Sequence, residues 1–395
     1  MMRLRLMVVP AVVLAAAFAA ACETVPEKAR VLTVNGVHLV ENPPRAGAPV
    51  VFRLGDSVLR DIGGLKEYDE DEFNHRSGFL TGVSFSDGGL AVIDWTKVRI
   101  FDAAGAQTAV VGRNGSGPGE FRGLMRLCRT RGDTLIAFDG NLRRITIFAR
   151  NGFMIRQFET PLNGFQNDGC FNDGTFTAQM VLRPTGDEVP LTAALHLDLN
   201  GKVFDTIGVF PSMSFRGVSQ YASLVVRGPS LYISDPRKNE VRRFDATGKL
   251  TGIIRMADKP RAMTADEATR WLGGPVAAAG SAGSAAPTAT PAAGAATWPF
   301  YRGILVDSDQ RLWVRDFPAD DSAPERWTAY DSAGLVIGAL DLPRGPVRTM
   351  MNPQTRQSET IPGMPPMFID ARGNEIILLE RDSDGAAHFR TRKIR

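Results

Sequence analysis

The sequence predicts an all-β fold: a six-bladed β-propeller closed by pairing of an N-terminal strand with the C-terminal blade. Three observations predict it. A unit of short β-rich runs, punctuated by Gly and Asp turns, returns at a near-constant interval. Each unit holds several such runs. The last unit stops one run short, while the N-terminal segment has β-like runs to spare.

The chain has 395 residues and begins MMRLRLMVVPAVVLAAAFAAAC. Arg3 and Arg5 precede an apolar run from Leu6 to Ala21 that ends in small residues. Charged, then apolar, then cleavable is the order of a secretory leader, so residues 1–21 read as a signal peptide. The run is shorter than the ~20 residues a spanning helix needs. Two processing routes fit. Ala19-Ala20-Ala21-Cys22 resembles a bacterial lipobox, with Cys22 as the site of lipidation and a membrane anchor. Ala19 and Ala21 also satisfy the small-residue rule of ordinary cleavage. Either route places the mature chain in the cell envelope or outside it, lipid-anchored, periplasmic or secreted. Residues 22–49 follow as a polar tether, ETVPEKAR, and N-terminal strands.

Lys and Arg number 46 against 43 Asp and Glu, and losing Arg3 and Arg5 with the leader brings the chain close to neutrality. No basic excess remains to attract nucleic acid. Three cysteines are present. Besides Cys22, Cys128 and Cys170 form an even pair that an oxidising compartment can join as a disulfide. Two separate buried thiols are the alternative.

The repeat is clearest in FSDGGLAVIDWTKVRIFDAAGAQTAVVG, residues 85–112. A turn at Ser86-Asp87-Gly88 leads into Leu90–Ile93. A second run, Val98–Phe101, leads through Asp102-Ala103-Ala104-Gly105 into Thr108–Val111. Short apolar runs between Gly and Asp turns mark antiparallel strands. Copies recur at 131–158, 172–209, 227–254 and 308–340, and a partial one closes the chain. The glycine of the second turn recurs at roughly 47–49 residues as Gly105, Gly152, Gly201 and Gly248, and then as Gly334 after nearly double that interval. The excess lies in residues 256–298. There a helix-like MTADEATRWL, capped by Thr264, precedes an Ala/Gly/Ser/Pro-rich stretch expected to be disordered.

A period of this length with several strands per unit means a propeller, one four-stranded blade per unit, over residues 50–395. The last blade offers Met367–Asp370, Ile376–Glu380 and His388–Ile394, so its fourth strand is expected from Val50–Leu54 and Ser57–Ile62. Val31–Val40 adds a further hairpin. Seven blades is the alternative, if residues 30–77 form their own unit.

These residues resemble the NHL-repeat type of six-bladed propeller found in exported bacterial proteins. The resemblance rests on Asp87-Gly88 to Asp94, on the turn from Lys97-Val98 to Phe101-Asp102 with Gly105, on Arg144-Ile145 to Phe148, and on the link Gly112 to Phe121. It covers roughly residues 50–395 outside the insert and implies a fold better than a function. Family members include binding scaffolds, lyases and hydrolases.

The link GRNGSGPGEF resembles a phosphate-binding loop in composition alone. A phosphate cradle needs a helix start after the glycines. Here RGLMRLCRTRGDTL runs straight into the next blade. The link therefore reads as a crossing loop, with Phe121 plugged between neighbouring blades.

Candidate chemistry is sparse. His38, His75, His196 and His388 have no metal-pair spacing, so no metal site and no cofactor are expected. Asp69-Glu70-Asp71-Glu72 and the group Asp316, Asp320, Asp321 carry the oxygens that hard cations such as calcium take, but without EF-hand spacing they read as solvated loops. Asp94, Asp139, Asp235 and Asp316 recur at one repeat position, which points to a structural turn rather than catalysis. Arg122, Arg126, Arg129 and Arg131 surround the entry to the second blade. Arg122, Arg126 and Arg129 are the expected ligand-binding residues, as guanidinium groups pair well with carboxylates. No nucleophile elbow occurs, and no catalytic residue is assigned. The expected function is a monomeric binding scaffold for a protein, peptide or glycan. The alternative is a metal-dependent NHL-type lyase or lactone hydrolase with its site at the channel mouth.

Overall fold

The computed structural model describes residues 28–63, 81–160, 165–182, 191–211, 214–215, 218–219, 222–235, 238–264, 297–317, 323–351, 358–361 and 363–395. A hairpin, Arg30–Val34 (β1) and Val37–Asn42 (β2), precedes the long strand Leu54–Gly63 (β3). Blade 1 contains Thr81–Ser84 (β4), Leu90–Asp94 (β5), Lys97–Phe101 (β6) and Gln107–Val111 (β7). Blade 2 contains Leu124–Arg129 (β8), Leu135–Asp139 (β9), Arg144–Phe148 (β10) and Met154–Glu159 (β11). Blade 3 contains Phe165–Cys170 (β12), Phe176–Leu182 (β13), Leu191–Leu197 (β14) and Val203–Pro211 (β15). A short hairpin, Ser214–Phe215 (β16) and Val218–Ser219 (β17), leads to blade 4, which contains Leu224–Arg227 (β18), Ser230–Asp235 (β19), Glu240–Asp245 (β20) and Leu250–Met256 (β21). Blade 5 contains Gly303–Val306 (β22), Leu312–Arg315 (β23), Glu325–Tyr330 (β24) and Val336–Leu342 (β25). After the hairpin Arg348–Met351 (β26) and Ser358–Ile361 (β27), blade 6 contains Met367–Arg372 (β28), Glu375–Arg381 (β29) and Ala387–Ile394 (β30). Its fourth strand is β3. The described residues thus form six antiparallel blades in a closed ring, as the repeat requires.

The pattern of burial explains the packing. Blade sheets are covered on both faces, so central strands such as β5 and β9 are buried at every position rather than at alternate ones. In β5, Leu90 and Val92 join the core between blades 6 and 1, while Ala91 and Ile93 join the core between blades 1 and 2. In β9, Leu135 and Ala137 turn to blade 1, and Ile136 and Phe138 to blade 3. One such core fills each interface around the ring.

The turn between third and fourth strands explains the marker glycines. Gly105, Gly152, Gly201, Gly248 and Gly334 all have positive φ, between 77° and 93°. Before four of these five glycines an aspartate stands three residues earlier, as Asp245 and Asp331 do, and accepts a backbone N–H across the turn. The link Gly112–Phe121 crosses from β7 to β8. Phe121 is fully buried between blades 1 and 2. A side chain at Gly112, where φ is +90°, would strike the Phe121 ring at 2.6 Å. The Glu120 carboxylate turns back to accept the Gly117 N–H at 2.6 Å.

The N-terminal segment is a belt over three successive blades. β2 runs parallel to β21 and widens blade 4 to six strands. The chain then docks on blade 5, where Phe52 N–H donates to Ala339 and Ala339 N–H to Pro49. β3 finally pairs antiparallel with β30, with Ile62 opposite Phe389. The hairpin expected at Val31–Val40 is present, and it serves blade 4 rather than a seventh unit. The leader and Cys22 lie outside the described residues, as do most of the 256–298 insert and its helix-like MTADEATRWL beyond Thr264.

Cys128 of β8 and Cys170 of β12 are joined as a disulfide across blades 2 and 3, with Cα atoms 5.6 Å apart and a sequence separation of 42. Closing a loop of that length constrains the unfolded chain by about 4 kcal/mol in the chain-entropy model. Denatured, unreduced protein is therefore expected to resist alkylation at both cysteines. The double Cys→Ser variant should lose about 2–4 kcal/mol in urea unfolding. Alkylation at both thiols before reduction would contradict the crosslink.

Candidate functional site

The two ends of the ring are built differently. At one end stand the turns between first and second strands, Phe85–Gly89, Thr130–Thr134, Phe171–Thr175 and Asp307–Arg311, each closed by a backbone hydrogen bond. At the other end lie the described parts of segments that lead from one blade to the next: 112–123, 257–264, 297–302, 343–351, 358–361 and 363–366.

The short-turn end is bridged by a polar knot. Asp370 of β28 is buried to within 2% exposure. One of its oxygens accepts the Ser308 and Ala371 N–H groups at 2.8 Å. The other accepts Arg227 Nη2 at 2.6 Å, Ser308 Oγ at 2.7 Å and the Ser84 hydroxyl. Arg227 comes from blade 4 and Asp370 from blade 6, so the pair spans non-neighbouring blades across the channel. Lateral bonds run round the ring as well. Asp133 accepts Ser86 N–H at 3.0 Å from blade 1, Asn172 N–H donates to Gly228, and Arg372 donates to the Phe85 and Ser86 carbonyls. A buried charge is tolerated when it is paired and its lone pairs are filled, and Asp370 meets both conditions.

The three arginines expected to bind a ligand are spread along one inner strand. Arg122 precedes β8 at the long-connection end and is exposed; its N–H donates to Asp139 at 2.6 Å. Arg126 lies midway and is exposed. Arg129 ends the strand inside the knot, where it donates to the Ser84 carbonyl and, at 3.1 Å, to Asp133. Burial, reinforced by Arg227, lowers the Arg129 pKa. Seven residues of extended strand cover roughly 23 Å, so the structure does not gather these side chains into one site. Arg131 is exposed in the turn beyond.

The histidines are also separated. His196 sits on β14, buried between Phe171 and Phe204, and meets Thr175 Oγ at 2.8 Å. Burial lowers its pKa. His388 on β30 lies between Asp61 at 2.8 Å and Asp382 at 3.2 Å. His38 belongs to the belt strand β2. None of these stands on an inner strand. His75, Asp69-Glu70-Asp71-Glu72, Asp320 and Asp321 lie outside the described residues. Of the recurring aspartates, Asp139 fixes its turn by accepting Leu142 N–H. Asp94 instead makes a buried ion pair with Arg99 at 2.7 Å.

Asp316 has a different task again. Arg45 of the belt inserts between blades 4 and 5, 5% exposed. It contacts Asp258 and Asp316, each at 2.9 Å. One cation shared by two carboxylates compensates neither fully, and the Asp316 contact lacks hydrogen-bond geometry. Burial therefore outweighs Arg45 and pushes the Asp316 carboxyl up to about 6. Arg45, Asp258, Arg227 and Asp370 were not legible as a group from sequence, because their partners lie in different repeats. One trace existed: Arg129 and Arg227 both close their inner strands.

No family model matches the sequence, and no curated protein matches it. Among solved structures the chain is similar to a protein of Bacteroides fragilis named as exported, with 11% identity over 90% of this chain and 99% of that one, TM-score 0.50. It is also similar to a DUF4221 member from Bacteroides vulgatus, with 10% identity, 87% and 98% coverage, TM-score 0.48. A calcium-binding protein, regucalcin, from Agrobacterium tumefaciens has 13% identity, 87% and 97% coverage, TM-score 0.39. At such identities the likeness establishes the fold alone.

The Asp316 environment sets a pH dependence. Folding raises this carboxyl's pKa from 3.8 to about 6. Its contribution to stability is full below the unfolded value and is lost as pH rises through the folded one. The stability of Asp316→Asn relative to wild type should therefore climb by about 1–3 kcal/mol from pH 4 to pH 6.5 and level off above. A pH-independent difference in paired denaturation curves would contradict this burial argument.

Proposed function

We propose that the protein is an exported scaffold, tethered at the envelope through Cys22, that binds a protein, peptide or glycan with the end of the ring carrying the long connections. The observation that carries this reading is the asymmetry of the two ends. One is short-turned and bridged by committed hydrogen bonds. The other carries the described segments that lead from blade to blade, and loops held on a scaffold are where recognition residues concentrate. Trp95 supports the assignment: it is a large aromatic at the long-connection end, 51% exposed and at φ 56° in the turn between β5 and β6. A bulky residue held at positive φ with its ring in solvent is costly and is more readily explained by contact than by packing.

A photo-crosslinking amino acid at position 95 tests the binding end. Phe153, 69% exposed in a turn at the opposite end, is the control position. Adducts in intact cells are expected from position 95 and not from position 153. Equal yields, or adducts from position 153 alone, would overturn the choice of end. Cys22→Ala should move the protein from the membrane fraction to the soluble one, and unchanged fractionation would remove the tether from the proposal.

A further inference from the structure

The belt begins with a strand that has a neighbour on one side only. β1 is the outer edge of the six-stranded sheet of blade 4, and among the described strands it pairs with β2 alone. All five of its residues are exposed. Val31 is 50% exposed, Leu32 38% and Val34 44%. Successive residues of a strand point to opposite faces, so β1 shows aliphatic side chains to solvent on both. Edge strands are commonly blunted by a charge, a proline or a bulge. From Val31 to Val34 there is none of these: the run is Val-Leu-Thr-Val, and its register with β2 is unbroken.

The chain that leads to β1 points to what covers it. Arg30 stands eight positions after Cys22. An extended chain spans at most ~3.6 Å per residue, so an acyl group on Cys22 holds the start of β1 within roughly 29 Å of the bilayer. The charges agree with such a neighbour. Lys28 and Arg30, at the end of the strand nearest Cys22, are both exposed. Glu41, the one carboxylate of the β1–β2 hairpin, lies between Arg30 at 4.0 Å and Arg255 at 3.9 Å. Aliphatic side chains gain by entering the boundary between headgroups and acyl chains, and cations beside it gain from anionic lipid.

We propose that the free edge of β1 docks on the lipid bilayer, an inference that rests on the tether at Cys22. Val31, Leu32 and Val34 enter the headgroup–acyl boundary, and Lys28 and Arg30 meet anionic headgroups. β1 forms the rim of the ring at blade 4, so docking there lays the ring axis along the membrane plane. Neither end of the ring is then pressed against lipid, and the end proposed to bind a partner stays open to the compartment.

The test uses the full chain expressed with its leader, purified from membranes and reconstituted in vesicles of phosphatidylcholine and phosphatidylglycerol. An environment-sensitive fluorophore is attached at Leu32→Cys. Val110→Cys is the control: Val110 is 43% exposed on β7, the outer strand of blade 1, across the ring from blade 4. Nitroxide-labelled lipid is expected to quench position 32 several-fold more strongly than position 110. Val31→Asp combined with Val34→Asp separates docking from mere nearness. Both positions lie on an exposed edge, so this variant should melt like its parent, while quenching at position 32 falls to the level of position 110. Quenching that survives in the melt-competent variant would overturn the docking. An acylated protein quenched alike at positions 32 and 110 would overturn it too, with the tether left standing. A mature protein whose mass shows no acyl group on Cys22 removes the tether, and the docking with it. Twice the monomer mass in detergent, with position 32 shielded there, would make a second copy the occupant of the edge and overturn the bilayer as its partner.

Discussion

A propeller ring has one joint that the chain does not make covalently, and here it is the pairing of β3 with β30. Every other blade is a local meander whose strands follow one another in sequence. Blade 6 is complete only when residues near the start of the chain find those at its end. The pairing must offset the entropy of closing a loop of more than three hundred residues, a cost that grows only slowly with length. The gain is local and large. Ile62 enters the core between blades 6 and 1 with Phe389, Leu90 and Phe101, and the exposed sheet edges that invite aggregation disappear.

The remaining long-range contacts reinforce that joint from two directions. Around the rim, the belt meets blade 4 through β2, blade 5 through Arg45 and Phe52, and blade 6 through β3. Strain on one contact is thus shared among three interfaces. On the axis, Asp370 ties Arg227, Ser308 and Ser84 from blades 4, 5 and 1 to blade 6. The disulfide between Cys128 and Cys170 stitches blades 2 and 3, away from that joint. The result is a ring made rigid at one end, leaving the other to carry long connections without loss of shape.

The fold was legible because its determinants are local and repeated. Asp245, Gly248 and their equivalents are read from a single turn, and their spacing counts the blades. The missing fourth strand of blade 6 was legible by elimination. The destination of the β1–β2 hairpin was not: a strand that runs parallel to β21, more than two hundred residues away, leaves no signal in its own segment. The site was less legible for the same reason. Asp316 occupies a repeat position shared with Asp94 and Asp139, yet the three do different work because their partners differ: Arg45 from the belt, Arg99 from the next strand, and backbone N–H groups. Arg122, Arg126 and Arg129 looked like a cluster because they are close in sequence. An inner strand is extended, and extension separates what sequence places together.

The central claim is that β3 closes the ring. A chain covering residues 81–395, followed by a short Gly-rich turn and residues 54–63, places β3 directly after β30 as an ordinary hairpin. The account predicts that residues 81–395 alone lack a cooperative thermal transition in circular dichroism and calorimetry, and that the appended strand restores one. A truncated chain that melts as cooperatively as the intact protein, or an appended strand that restores nothing, would contradict it.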